Sequence, residues 1–261
     1  MEVLWKEGSQ RTFPGYSLVL PSVSIANVGQ LAIDVLIATL ETQQIAVVHH
    51  PALLPMVGSN AYEAVATGLT TGADLHICQQ YKLLLLQLRA PHAKGRRGEF
   101  VGALCEFADK LLAGDNKDTD SSVSILASCQ AADRISCQMT GTQLRYYPSK
   151  LFRDGPMFSS LREVLDTELE EVKSEARGDT KPFLSGAGYV KQFIETCGVA
   201  SVCLLKFVNE GDNTSDALQL ASCYYSWLAR RTKDAGSPPA WRCPPSWKNM
   251  FGAPAPRSLF L

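Results

Sequence analysis

Short apolar runs that alternate with amphipathic helical segments are the feature that most limits what this chain can fold into. The run at residues 82–88 is nearly continuously apolar, as in a central strand that is covered on both faces. Similar runs lie at residues 16–21, 45–48, 123–127 and 199–208. Strands of this kind, separated by helices, predict one α/β domain, an α/β/α sandwich with a mixed, mainly parallel sheet between two helix layers.

The helical segments carry the apolar spacing of helices that pack on a sheet. One begins at Asn27, which we expect to act as the N-cap with Gln30 completing a capping box. A second carries Phe100, Leu104, Phe107 and Leu111 on one stripe, and a third spans about 214–231. Residues 75–79 and 82–88 predict a hairpin.

The α/β domain is expected to cover residues 1–235. Within it, residues 151–181 turn acidic and keep only a thin apolar stripe, which predicts a solvated helix in a peripheral insertion. The stripe consists of Leu161, Leu165, Leu169 and Val172. Prolines then recur through residues 236–261, which predicts an extended C-terminal segment, pinned where Trp241 and Trp247 dock.

Composition excludes several classes of protein. The chain has 261 residues, enough for one large domain or two small ones. Its 25 basic and 26 acidic residues leave a net charge of −1, which gives no general attraction to nucleic acid or to an anionic membrane. The apolar stretch 35–40 is far too short to span a bilayer. An acidic N-terminus argues against a signal peptide, and scattered cysteines in apolar runs indicate reduced thiols in the cytosol or nucleus.

The strongest sign of enzyme chemistry is an acidic cluster, Glu210, Asp212 and Asp216, which follows the run 199–208. Strand ends of this kind hold ligands in α/β enzymes. Capping of the next helix by Asp212 or Asn213 is the simpler interpretation. A Gly-x-Ser-x-Gly elbow is absent, residues 186–188 fit a turn better than a dinucleotide fingerprint, and the histidines are expected in the core or at its rim.

Other ligand signals are weak. The cysteines lack metal-ligand spacing, so no metal is expected. The basic runs 94–97 and 230–233 have no interleaved aromatic residues and fit solvated faces better than a nucleic-acid footprint. The start of the helix at residues 24–30 resembles an anion-binding helix N-terminus, which leaves a small-molecule or nucleotide-binding regulator as one alternative.

Three segments together resemble the proteasome assembly chaperone family. They are residues 22–32 with Val57-Gly58-Ser59-Asn60 downstream, residues 204–213 with Asp216-Ala217, and residues 245–252. Their order and spacing match across nearly the whole chain, whereas residues 114–181 match poorly.

The resemblance implies a non-enzymatic chaperone of the eukaryotic 20S proteasome, without cofactor, in the cytoplasm and nucleus. Family members of this kind form a heterodimer with proteasome assembly chaperone one on the outer face of the α-subunit ring. They guide ring formation, prevent off-pathway ring association and block early docking of regulatory particles. The fold implied is an α/β/α sandwich of the phosphorylase/hydrolase-like type. The alternative is a nucleoside-phosphorylase-like or hydrolase-like enzyme that uses Glu210 and Asp212.

The C-terminus ends in Leu259, Phe260 and Leu261. This ending is similar to the hydrophobic, Tyr or Phe, any-residue tails of proteasome activators, which enter pockets between α-subunits. A proline-rich tether stays extended at limited entropic cost, and the α-carboxylate of Leu261 can pair with a lysine at the pocket base. Alternatively, Leu259 and Phe260 fold back onto the body.

Overall fold

The computed structural model describes residues 1–64, 68–114, 121–173, 180–232 and 239–250. The strands are β1 (Glu2–Trp5), β2 (Ser17–Pro21), β3 (Gln43–His49), β4 (Val57–Ser59), β5 (Leu69–Thr71), β6 (Ala73–Cys78), β7 (Leu83–Leu88), β8 (Ser122–Gln130), β9 (Leu144–Pro148), β10 (Glu171–Lys173), β11 (Thr180–Pro182) and β12 (Ser201–Val208). The helices are α1 (Val28–Thr39), α2 (Arg97–Leu111), α3 (Lys150–Arg153), α4 (Met157–Arg162), α5 (Val190–Thr196) and α6 (Thr214–Thr232).

Eight strands form one mixed sheet in the order β1-β3-β6-β7-β2-β8-β12-β9. The four central strands, β7, β2, β8 and β12, run parallel to their neighbours in this group, and the remaining pairs are antiparallel. The strands β6 and β7 form the hairpin expected from their sequence. Side chains of β7 and β12 are buried along their whole length, because helices cover both faces of the sheet.

Two hydrophobic layers flank the sheet and complete the predicted α/β/α sandwich. On one face, α2 and α5 pack on alternate side chains of the strands, with Phe100, Phe193 and Leu205 in this layer. On the other face, α6 packs against both α1 and α4, and Trp227 and Leu204 lie in this layer. None of the helices in the described part of the chain combines the length and apolarity that a membrane crossing requires.

The start of α1 differs from the expected capping box. Ala26 and Asn27 both lie in the left-handed region, with φ of 54° and 53°. The Asn27 side chain makes no capping bond, and the Gln30 amide donates instead to the carbonyl of Leu88. Asn27 is the N-cap residue by position, as predicted, and Asn tolerates its positive φ, but the prediction of a capping box was wrong.

Residues 151–173 do not form the predicted solvated helix. The short helices α3 and α4 are separated at Gly155 and Pro156, and the chain then becomes extended. Leu161, Leu165 and Leu169 are buried in the two hydrophobic layers. Residues 167–169 also bond to Tyr146 along the outer edge of β9, so this stretch covers one edge of the sheet.

The C-terminal segment crosses the α1 and α6 layer. Trp241 and Trp247 pack against this layer, as the sequence indicated, and the Trp241 ring meets Tyr225 edge-on at 5.9 Å. The predicted extended segment 236–261 is described only at residues 239–250, and within these a 3-10 helix forms at Pro245–Asn249 in place of an extended chain. Proline at its first position suits such a turn, where its missing N–H leaves no bond unmade.

Candidate functional site

The acidic cluster after β12 performs structural tasks. The backbone N–H and hydroxyl of Thr214 donate to Asp212, which holds the pKa of that carboxyl below its usual value. Asp216 accepts from the buried Lys206 ammonium at 2.6 Å, and Glu210 is exposed. The interpretation as a helix start is therefore the one the geometry supports.

The loop before α1, the alternative ligand site, is filled by the chain itself. The Ser22 hydroxyl donates to the carbonyl of Ala187 and accepts from the N–H of Tyr189. Ser24 and Ser128 share a hydrogen bond of 2.8 Å beneath the loop. A Cβ at Gly188 would lie 2.3 Å from the carbonyl of Val23, so the turn at 186–189 presses directly on the loop and occupies the space before the helix.

The remaining candidates also have local roles. His50 and His76 are buried, and His49 is exposed. Arg96 pairs with Glu99, and Arg230 with Glu163. The eight cysteines are free thiols, and no group of three metal-ligating side chains gathers within the described ranges. Leu259, Phe260 and Leu261 lie outside the described residues, and the role of this tail stays a prediction.

The surface that stands out is an apolar patch on the strands β4 and β5, which pair as a separate two-stranded ribbon, and on the connection that leads into β4. Its members are Leu54, Met56, Val57 and Leu69, each between 48% and 67% exposed. Val57 and Leu69 share the outward face of the ribbon, whereas Thr70 points to the body and is buried. Concentrated exposure of this kind is unusual on a monomer and marks interaction surfaces; we call these four residues the ribbon patch.

A buried ionic cluster fixes the ribbon to the body. Asp34 of α1 accepts hydrogen bonds from Arg89 at 2.6 Å, from the Tyr62 hydroxyl at 2.7 Å and from Gln87 at 2.7 Å. Arg89 also donates to the Tyr62 hydroxyl at 2.9 Å and lies over its ring. Tyr62 follows β4 closely, so the cluster joins α1, the end of β7 and the ribbon.

Protonation of Tyr62 favours this arrangement. Burial raises the pKa of its hydroxyl well above the usual 10, and the neighbouring Asp34 charge raises it further. The hydroxyl therefore keeps its proton and donates to Asp34, while its oxygen accepts from Arg89. A carboxylate and a guanidinium that are both largely buried need such additional partners.

Two of the segments behind the family resemblance meet at this site. The motif at residues 57–60 is β4 with Asn60, and the amide of Ser246 donates to the carbonyl of Ala61 at 3.3 Å. Further along α1, the amide of Arg242 donates to the Thr39 hydroxyl. Met250, the last residue that the structure describes, follows four residues after Ser246.

Sequence reasoning missed the ribbon patch. Residues 53–57 combine apolar side chains with Pro55 in a connection that has neither helical nor strand periodicity. Apolar residues without a period have no core face to fill, and this is the one signal that pointed to exposure. The link from Asp34 to Arg89 and Tyr62 had no sequence signal, because it depends on the tertiary fold.

Comparison with known proteins gives concordant results. The model of the PAC2 family matches residues 18–114. A curated relative from Xenopus tropicalis, named Proteasome assembly chaperone 2, is 33% identical over 264 residues, covering 97% of this chain and 98% of the relative. The human protein of the same name is 32% identical over 259 residues, covering 94% and 95%.

Solved structures agree at the level of the fold. Pyrococcus furiosus PbaA, described as an archaeal homolog of proteasome-assembly chaperone, superposes with a TM-score of 0.59 at 12% identity, over 91% of this chain and 87% of that one. Pyrococcus furiosus PbaB, described as an archaeal proteasome activator, gives 0.55 at 14% identity, over 89% and 94%.

Proposed function

The chain belongs to the proteasome assembly chaperone 2 family, and from this membership we propose that it promotes assembly of the 20S proteasome α-ring as a heterodimer with proteasome assembly chaperone one. The near full-length match to named relatives supports the chaperone role. Preventing off-pathway association of rings belongs to the same proposal, as does residence in the cytoplasm and nucleus.

The ribbon patch is the single observation that carries the partner interface. Interfaces that persist are more apolar than transient ones. The patch exposes four large apolar side chains on the ribbon and on the connection before it, and a buried ionic cluster fixes the ribbon in place. A surface already fixed in its binding shape loses less conformational entropy on association. We assign the ribbon patch to proteasome assembly chaperone one rather than to the transiently bound α-ring.

Co-expression with tagged proteasome assembly chaperone one tests this assignment. Val57→Asp and Leu69→Asp each place a charge in the proposed interface and should lower the recovered complex at least tenfold. Leu151→Asp is the matched control, because Leu151 is a comparably exposed leucine (54%) on α3. Equal recovery of all three variants would place the heterodimer interface elsewhere.

The chaperone role itself is tested by affinity purification of the wild-type chain from cells, followed by mass spectrometry. We expect proteasome assembly chaperone one and α-subunits in the eluate, and accumulation of incomplete or dimerised rings after depletion of the chain. A chain recovered alone that turns over nucleosides would instead support the enzyme alternative. Imaging of the tagged chain tests its presence in cytoplasm and nucleus.

A further inference from the structure

A groove lies beside the ribbon patch, where the sheet extends past the end of α1. Its volume is about 370 Å³. The floor is formed by Gln44 of β3 and His76 of β6. One wall is formed by Tyr62, which follows β4, and by Leu69 and Thr70 of β5. Lys6, which follows β1, stands at its margin. The groove thus joins the edge of the sheet to the ribbon patch through Leu69.

His76 is the unusual residue in this groove. It is only 6% exposed, and its Nε2 atom is buried without a hydrogen-bond partner. Burial, followed by the charges of Lys6 and Arg89, lowers its pKa to about 4. The ring is therefore neutral near pH 7, and Nε2 can carry the proton and donate it. A buried polar atom without a partner destabilises the free chain, so a bound acceptor that supplies the missing hydrogen bond would remove this cost.

The margin of the groove supplies charge and apolar contact. Lys6 is exposed, and no ion pair to its ammonium occurs among the residues that the structure describes. Leu4, two residues earlier on the open edge strand, is 68% exposed. Glu63 is also exposed at the margin. The nearby Asp34 and Asp74 are already hydrogen-bonded within the body.

We infer that this groove binds an aspartate or glutamate side chain of proteasome assembly chaperone one, whose carboxylate pairs with the Lys6 ammonium and, when the imidazole turns toward the groove, accepts a hydrogen bond from His76 Nε2. Leu4 and Leu69 would pack on apolar neighbours of that acidic residue. Such an arrangement, a polar anchor in a desolvated pocket with apolar surroundings, is typical of interface hot spots. The inference rests on the proposed heterodimer and names the chemistry of its contact.

Charge reversal tests the groove. With purified chains, we expect Lys6→Glu to weaken binding to proteasome assembly chaperone one at least tenfold, and His76→Phe to weaken it about as much. Lys150→Glu is the matched control, since it reverses an exposed charge on α3, and should change the affinity less than twofold. Because His76→Phe alters a buried site, the circular dichroism spectrum and Tm of this variant are measured too. If His76→Phe unfolds, the exposed change Lys6→Glu alone decides the test.

A charge swap identifies the contact. Each exposed aspartate and glutamate of the partner is changed to lysine, and one of these variants should restore binding to Lys6→Glu. If the wild-type chain binds the partner and Lys6→Glu binds it equally tightly, the inference is overturned while the proposed heterodimer stands. If the wild-type chain does not bind the partner, the proposed heterodimer itself is overturned. A shift of the His76 ring resonances on addition of millimolar acetate, with Lys6→Glu binding the partner normally, would assign the groove to small carboxylates instead.

Discussion

At the scale of single residues, Asp34 is a position where one substitution should strongly lower the free energy of unfolding. Its carboxylate is almost fully buried and accepts from Arg89, Tyr62 and Gln87. Asp34→Ala leaves a largely buried guanidinium without its counter-ion, and we expect the free energy of unfolding to fall by about 3–5 kcal/mol. Urea denaturation measures this loss.

Two comparisons isolate the cause of that loss. The double variant Asp34→Leu with Arg89→Met removes both charges and should be more stable than Asp34→Ala alone. Glu163→Ala breaks an exposed pair with Arg230 and should cost less than about 1 kcal/mol. If Asp34→Ala were as mild as Glu163→Ala, the cluster would not fix the ribbon.

His76 predicts a dependence of stability on pH. Its pKa is about 4 in the folded chain, against 6.5 for an ordinary imidazole, so between these values the unfolded chain binds more protons. Lowering the pH from 7 to 5 should therefore reduce the free energy of unfolding by about 2 kcal/mol through this residue. Urea titrations at both pH values should show a smaller loss in His76→Gln, and parallel losses in the two proteins would contradict the assignment.

At the scale of elements, the contact of α1 with β8 depends on Gly29. A Cβ at this position would lie 2.1 Å from the carbonyl oxygen of Leu126, and neither backbone can move without separating helix and strand. We expect Gly29→Ala to lower the free energy of unfolding by about 3 kcal/mol.

Gly102 provides the matched control on another helix. It lies within α2, and nothing stands within 4 Å of the position its Cβ would take. Gly102→Ala should raise the free energy of unfolding by about 0.5–1 kcal/mol. Thermal unfolding of both variants compares them directly, and equal effects would show that helix propensity, rather than close packing, decides both positions.

Elements with a complete local pattern could be predicted from the sequence. The strands β7 and β12, buried on both faces, and the amphipathic α2 and α6 have such patterns. The edge strands β1 and β9 are short and pair with distant strands, so nothing local distinguished them. The acidic composition of residues 151–181 predicted a solvated helix, but Leu161, Leu165 and Leu169 are buried by tertiary contacts that periodicity does not encode.

The site was less predictable than the fold. The cluster after β12 had a sequence signal, and its structural role was the preferred interpretation. In contrast, Asp34 and Arg89 are 55 residues apart in the chain, and neither stands in a motif. A patch of exposed side chains leaves no periodic signal in the sequence, because exposure depends on which other elements of the fold pack against those side chains.

At the scale of the whole molecule, the tail and the ribbon patch should separate into two binding functions. A fully extended chain as long as residues 251–261 would span at most about 40 Å, so the three terminal residues can act apart from the globular body. Deleting Leu259, Phe260 and Leu261 should weaken binding to the α-ring while leaving the complex with proteasome assembly chaperone one intact. Sedimentation with isolated α-rings measures the first and size-exclusion chromatography the second. Unchanged α-ring affinity would assign the tail to packing on the body.

The two edges of the sheet differ in a way that limits self-association. Residues 167–169 cover the outer edge of β9, whereas β1 pairs with β3 on one side and with no described strand on the other. An open edge can template the addition of further strands. Here, a second chain of the same architecture that joined through β1 would present only its own covered β9 edge, so growth would stop at a pair and could not propagate into a fibril.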